Sequence, residues 1–270
     1  MRVPRRGEIV NFGGTLRFAP RHRYRPASAA EVLEILDRHA ADTIRVAGAL
    51  HSWSEAARSD DVVLDLGYLD EVSLERDGAA PVAVIGGGCT IARALEQMHR
   101  LAPGFTLPGL GGGIAQTLAG AISTGTHGSG GPSLAHFVAS FELAAFDSVS
   151  GKARIHRIEH GEALRAARCA LGCMGAILSL RVPLVPRAGV RETIERCATL
   201  DAVLARETDF PLQHFLLLPY RWTYVVWRRK AVAARQNVLA WLHRARLRLV
   251  APPLHLLVKG LAILNDARAT

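Results

Sequence analysis

The sequence is poor in lysine, cysteine and aromatic residues, and each shortage narrows the classes of protein it can represent. Three lysines leave thirty of the 33 basic residues as arginine, and the net charge of +9 is spread along the chain. Neither a basic cluster with interleaved aromatics nor a nucleic-acid-binding motif is present, so we expect no nucleic-acid partner. Four cysteines are too few for a disulfide framework. No His or Cys completes a zinc site around Cys169 and Cys173, so we expect reduced thiols, no metal and a cytoplasmic location.

Targeting and membrane-spanning segments are also lacking. Arg5 and Arg6 form a twin arginine, but the apolar stretch of a secretory signal does not follow it. Arginine or histidine interrupts the longest apolar stretches well short of the roughly 18 residues of a membrane span. Near the end, residues 238–264 predict an amphipathic helix pair that carries Arg244, Arg246 and Arg248. We interpret it as core-facing, with peripheral membrane association as the alternative.

What is present is an alternation of helices and strands in a chain that is 49% apolar. Ser28 and Glu31 have the spacing of a capping box, and the apolar residues that follow lie on one helical face. Residues 43–46, 61–66 and 81–85 predict strands, and residues 91–101 predict a helix. From Pro26 onward the sequence therefore predicts a regular α/β alternation.

The turn Gly86–Gly88 between a strand and a helix has the outline of a Rossmann dinucleotide site. Ile91 stands where a small residue must let helix and strand touch, and the segment about 20 residues after the turn ends no strand with an acidic residue. We therefore exclude a nicotinamide site here.

Residues 111–130 are the most informative segment, with seven glycines among small and hydroxyl-bearing residues. Exposed backbone N–H groups beside threonine and serine hydroxyls form an uncharged donor surface that suits a diphosphate or an oxygen-rich ring. Ile114, Leu118 and Ile122 recur at helical spacing, which a flexible linker would not require.

Two motifs carry a resemblance to a known family, Val46-Ala-Gly-Ala-Leu-His-Ser52 and Gln116-Thr-Leu-Ala-Gly-Ala-Ile-Ser-Thr-Gly-Thr-His-Gly128. They resemble the PCMH-type FAD-binding domain of the vanillyl-alcohol oxidase superfamily, within it the branch of aldonolactone and alditol oxidases. The segments Leu164–Ile177 and His214–Tyr220 are similar to later parts of the same family. The resemblance implies an α+β fold with two FAD-binding subdomains, about 22–100 and 101–186, and a partial substrate domain over 187–270.

The resemblance also implies roles for individual residues. Residues of the first motif would wrap the FAD diphosphate, and His51 would bond covalently to the flavin 8α carbon. Gly112 would face the flavin near the substrate, and Ala176 would meet the adenosine end. The full set implied to bind FAD is Val46, Ala47, Gly48, Ala49, Leu50, His51, Ser52, Gly112, Thr117, Gly120, Thr124, Gly125, Thr126, His127 and Ala176.

The chain departs from the family pattern at two points. Leu50 occupies a turn position where the family carries glycine, so a positive φ there would cost about 1 kcal/mol or more. The chain also ends before the C-terminal His-Trp-x-Lys-like motif of the family, so we expect it to be truncated, and its catalytic residues are not identified.

The implied function is oxidation of a CH–OH group in a sugar-derived lactone or polyol, as in D-arabinono-1,4-lactone oxidase. Hydride would pass to flavin N5, and O₂ or another acceptor would reoxidise the flavin. The alternative is a non-catalytic FAD-binding remnant, or a half-chain that a second polypeptide completes. The exact substrate and the electron acceptor stay open at this point.

Overall fold

A small parallel sheet, a five-stranded antiparallel sheet and a three-stranded sheet follow one another along the described part of the chain. A computed structural model describes residues 7–77 and 80–233. One compact unit comprises residues 1–187 and 192–230, and a second comprises residues 188–191 and 231–270. Within the second unit the described residues are 188–191 and 231–233. The predicted helix pair over 238–264 lies outside the described residues.

The described part of the chain begins with a hairpin, and a small parallel sheet follows it. Strands β1 (Ile9–Val10) and β2 (Arg17–Phe18) pair antiparallel. Strands β3 (His22–Tyr24), β4 (Ile44–Ala47) and β5 (Val62–Asp65) form a parallel sheet in the order β3-β5-β4. Helix α1 (Ala29–Arg38) connects β3 to β4. The predicted cap is confirmed, because Ser28 Oγ accepts the Glu31 amide and the Glu31 carboxylate accepts the Ala27 amide.

A five-stranded antiparallel sheet follows, with the strands β6 (Val72–Asp77), β7 (Ala80–Gly86), β9 (Ser140–Phe146), β10 (Ala153–Ile158) and β11 (Ala176–Pro183). Their order in the sheet is β10-β9-β11-β7-β6. Its antiparallel pairing excludes a Rossmann unit at residues 80–101, since that unit needs parallel strands. Two short strands, β8 (Phe105–Thr106) and β12 (Val185–Pro186), pair beside it. The helices of this part of the chain are α2 (Ile91–Leu101), α3 (Leu118–Ser123) and α4 (Gly161–Ala167).

A third sheet contains β13 (Gly189–Cys197), β14 (His214–Leu218) and β15 (Thr223–Val232), in the order β13-β15-β14. Helix α5 (Leu200–Leu204) follows β13. The guanidinium of Arg228 is buried here and donates to Glu195 at 2.6 Å and to Gln213 at 2.7 Å. Because this buried cation is fully hydrogen-bonded, it holds the groups that surround it in one arrangement.

The parallel and antiparallel sheets share a hydrophobic core. The buried face of α1 packs with Leu64 of β5, and the same cluster includes Ala144, Ala176 and Leu178 of the antiparallel sheet. A second, larger cluster joins that sheet to α2 and α3. The predicted α+β class is confirmed. The chain changes sheets between Asp65 and Val72, whereas the subdomain boundary predicted from the sequence lies near residue 100.

Across the described ranges, no helix has the length and apolar character that crossing a membrane requires.

Candidate functional site

A cleft of about 420 Å³ lies between the end of the parallel sheet and the glycine-rich turns of the antiparallel sheet. Its size falls in the usual range for cofactor and ligand pockets. One wall comes from residues 46–52 and 65–67, and the other comes from the turns and helix starts that follow β7 and precede α3 and β11. A ligand in the cleft would therefore contact both sheets.

The loop after β4 forms the first wall. Strand β4 ends at Ala47, and residues 48–52 continue along the cleft. The backbone N–H groups of residues 49–52 donate to no acceptor in the described part of the chain. Leu50 has φ of 55°, so this position does have the positive φ that strains the backbone of a residue other than glycine. The loop therefore presents free amide donors, and one non-glycine residue holds a left-handed conformation to shape it.

Thr117 lies in the opposite wall, at the start of α3. Its hydroxyl accepts the Gly120 amide at 3.3 Å and caps α3. A Cβ at Gly48 would lie 2.3 Å from that hydroxyl oxygen, so the two walls meet where only glycine fits. Thr90 caps α2 in the same way by accepting the Arg93 amide at 3.2 Å. Both threonines line the cleft.

The charged groups along the cleft are already paired. The Arg93 guanidinium lies 2.8 Å from Asp70, and the Arg25 guanidinium lies 3.8 Å from Asp65. Arg25 also stacks on the Tyr68 ring at 4.1 Å. An anion in this cleft would therefore depend mainly on backbone amides and hydroxyls, as expected from the glycine-rich sequence.

FAD fits the residues present. Gln116 Oε1 is a buried acceptor without a partner in the described residues, and Gln116 lines the cleft. An orphaned buried acceptor beside free amide donors suits a large ligand that carries both donors and acceptors. Gly88 lets its turn pack closely against the other wall, because a Cβ built there would lie 1.8 Å from the Leu66 carbonyl oxygen.

The structure brings together ten of the fifteen residues implied to bind FAD. All seven residues of the first motif line the cleft. Three residues of the second motif, Thr117, Gly120 and Thr124, line it as well. Two motifs that lie about 70 residues apart in the sequence thus line opposite walls of one cleft.

The other five residues lie outside the lining. Gly112 is exposed on its loop, and nothing stands within 4 Å of a Cβ built there. Gly125 and Thr126 follow α3, where the Thr126 amide donates to the Ala121 carbonyl. His127 is exposed, and its Nδ1 lies 3.1 Å from the Gly128 carbonyl oxygen. Ala176 is buried in β11 between two lining residues.

Sequence reasoning missed part of the second wall. The motif before β11 implied a role for Ala176 alone, yet Leu171, Gly172, Met174 and Gly175 line the cleft. Leu171 has φ of 52°, a backbone feature that the sequence did not reveal. Gln116 also lines the cleft, although the resemblance implied no role for it. The charged pairs of Arg25 and Arg93 had no sequence signal, because arginine is abundant throughout this chain.

No group of three or more metal-ligating side chains occurs among the residues the structure describes. Burial raises the pKa of the Cys89 thiol to about 11, which leaves it protonated at neutral pH. Cys89 is therefore a packing residue beside the α2 cap.

Comparison with known proteins agrees with this geometry. Residues 20–147 match the family described as FAD binding domain. A long-chain alcohol oxidase of an uncultured marine euryarchaeote is 45% identical over 87% of this chain and 48% of its own length. D-arabinono-1,4-lactone oxidase of Eremothecium gossypii is 30% identical over 84% of this chain and 44% of its own. L-gulonolactone oxidase of Bos taurus is 28% identical over 79% and 49%. The chain thus spans about half the length of the curated relatives it matches.

Solved structures show the same fold. A solvent-stable cholesterol oxidase superposes with a TM-score of 0.76 at 15% identity, over 85% of this chain and 48% of that one. Fold and cleft together define an FAD-binding domain of the PCMH type. Residues 20–147 belong to the FAD binding domain family, and aldonolactone oxidases and a long-chain alcohol oxidase are among the relatives of the chain. The predicted cofactor, FAD, is confirmed.

Proposed function

We propose that the protein is an FAD-dependent oxidoreductase that oxidises a CH–OH group and carries its flavin on His51. The observation that carries the proposal is the position of His51 in the cleft wall, within a loop of free amide donors. Bound FAD would supply the two-electron acceptor for a hydride from the substrate carbon, and O₂ or another acceptor would restore it.

The residues of this chain would divide the binding between them. The free amides of residues 49–52 would hold the diphosphate, as backbone donors do in other anion sites. The hydroxyls of Thr90 and Thr117 and the orphaned Gln116 oxygen would bind polar groups from the opposite wall. His51 would form the covalent bond, since neither ring nitrogen has a hydrogen-bond partner in the described residues and an unpaired nitrogen can act as a nucleophile.

Two substrate classes follow from the relatives. The aldonolactone oxidases support a sugar-derived lactone or polyol. The higher identity to a long-chain alcohol oxidase favours an aliphatic alcohol as a second candidate. Both would lose hydride from a carbon that bears a hydroxyl group, so the proposed chemistry at the flavin is the same.

The visible spectrum of the purified protein tests flavin binding, and acid precipitation tests attachment. We expect a flavin spectrum, and we expect the yellow colour to stay in the acid pellet. A His51→Ala variant is the matched control: it should bind FAD and release it into the acid supernatant. Protein that is colourless and takes up no added FAD would contradict the assignment of the cleft.

Hydrogen peroxide production and dye reduction test catalysis. Aldonolactones, alditols and long-chain alcohols should be assayed in parallel, with the oxidised flavin absorbance followed under anaerobic conditions. Bleaching by one class identifies the substrate. A yellow protein that none of these compounds bleaches would favour the alternative, a non-catalytic flavoprotein or a half-chain completed by another polypeptide.

A further inference from the structure

The hairpin of β1 and β2 contacts the loop that carries His51 through three consecutive residues, 11 to 13. The Phe12 amide donates to the Leu50 carbonyl at 2.8 Å, and Asn11 Nδ2 donates to the Ser52 carbonyl at 3.1 Å. A Cβ at Gly13 would lie 3.0 Å from the Trp53 ring, so the turn of the hairpin packs directly on that side chain. The backbone on both sides of His51 is thus fixed by residues 11–13, which lie before the match to the FAD binding domain family.

The hairpin is itself well anchored at this point. Asn11 is buried, and its Oδ1 accepts the Leu16 amide at 2.9 Å. Ile9, Leu16 and Phe18 form a small core with Ala47 and Val63 at the end of the parallel sheet. Buried apolar contacts hold the hairpin against the parallel sheet, and hydrogen bonds hold the loop that carries His51 against the hairpin. The sheet therefore fixes the position of the loop through the hairpin.

Phe12 adds a contact with the His51 ring itself. The two ring centroids lie 4.7 Å apart with an interplanar angle of 17°. The Phe12 residue is 69% exposed, so burial in a core does not explain its place in the fold. Stacked rings restrict the rotation of the imidazole about its side-chain torsions, while the ring nitrogens at the edge stay free.

We propose that Phe12 is a positioning residue for flavin attachment at His51, an inference that rests on the proposed function. His51 would bond through a ring nitrogen to the flavin 8α carbon. The imidazole N–H and one 8α C–H bond break, the electron pair and two protons pass to the isoalloxazine, and O₂ takes them up as hydrogen peroxide. Such a bond forms fast only when nitrogen and carbon are held in line, so Phe12 would act by keeping the imidazole in its reactive orientation.

The test compares attachment with binding in the full-length chain produced in riboflavin-starved cells and then mixed with FAD. Phe12→Leu removes the aromatic face, Phe12→Tyr retains it, and Phe146→Leu makes the same change at an exposed strand residue outside the cleft lining. Total bound flavin is measured by absorbance after desalting. Covalent flavin is measured in the acid pellet over time.

We expect Phe12→Leu to bind as much FAD as the parent chain but to attach it about tenfold more slowly. Phe12→Tyr and Phe146→Leu should attach FAD at the parent rate. A merely structural role for Phe12 would lower total binding and attachment together, and that result would contradict the proposal.

The outcomes separate this inference from the proposed function. If the parent chain attaches FAD and Phe12→Leu attaches it equally fast, the positioning role is wrong and the attachment to His51 stands. If the parent chain never attaches FAD, the attachment fails and the positioning role fails with it. If Phe12→Leu melts well below the parent, its slow attachment no longer separates positioning from folding, and Phe12→Tyr becomes the test. Phe12→Tyr keeps the aromatic face, so if this variant folds and still attaches FAD more slowly than the parent, the proposal is overturned.

Discussion

Gly48 and Thr117 should be energetically coupled, since the first leaves room for the hydroxyl of the second. In a Gly48→Ala variant the new Cβ would lie 2.3 Å from Thr117 Oγ1, far inside contact distance. The hydroxyl would have to rotate away, and α3 would lose its cap on the Gly120 amide. Gly48 has no positive φ, so alanine itself adds no backbone strain.

The expected cost follows from these parts. Loss of a threonine N-cap costs about 1 kcal/mol, and a displaced rotamer costs about 0.5–1.5 kcal/mol. Gly48→Ala should therefore lower the free energy of unfolding by about 2 kcal/mol. Thr117→Ala should lower it by about 1 kcal/mol through the cap alone. With the hydroxyl gone, the nearest remaining atom to an alanine at 48 is the Thr117 Cβ at 3.5 Å, an ordinary contact.

Urea unfolding followed by circular dichroism measures this coupling. The double variant should cost about 1 kcal/mol, so the two changes together should cost less than Gly48→Ala alone. Gly131→Ala is the control, since nothing stands within 4 Å of a Cβ there, and it should change stability by less than about 0.5 kcal/mol. Additive costs in the double variant, within about 0.5 kcal/mol, would refute the predicted contact.

Three further predictions concern backbone strain, thiols and pH. Leu50→Val should destabilise the protein more than Leu50→Gly in thermal melts, because a β-branched residue tolerates φ of 55° poorly; the reverse order would show that this φ is not adopted. A thiol reagent at pH 8 should label the exposed Cys169 and Cys173 quickly and the buried Cys89 only after unfolding, and rapid labelling of Cys89 would contradict its raised pKa. Burial, with a nearby arginine, lowers the pKa of His214 below its ordinary 6.5, so the unfolded chain binds that proton more readily. The melting temperature should therefore fall as the pH drops below about 6.5, and less so in His214→Phe; equal slopes would contradict this.

The sequence predicted the elements of the fold well wherever local chemistry decides them. The capping box at Ser28 marked the start of α1, which begins at Ala29. The helix predicted over 91–101 is observed as Ile91–Leu101. Caps, apolar periodicity and glycine turns are local signals that one sequence contains in full.

Pairing between distant strands was not predictable in the same way. Strand β7 pairs with β6 next to it in the chain but also with β11, about 100 residues later. No local pattern specifies that partner, so the change of sheet between Asp65 and Val72 was not visible. The cleft shows the same limit, since the two motifs placed ten lining residues, while Arg25 and Leu171 reach it only through the tertiary fold.

The shared cleft has a consequence for the cell that makes this chain. Its walls belong to two sheets, and a flavin held by both would draw the folding equilibrium toward the native state by mass action. At a free concentration one hundred times Kd, a ligand that binds only the native state contributes about 2.7 kcal/mol. Newly made chains short of riboflavin would spend more time open to proteases, so vitamin supply would set how much of the protein accumulates.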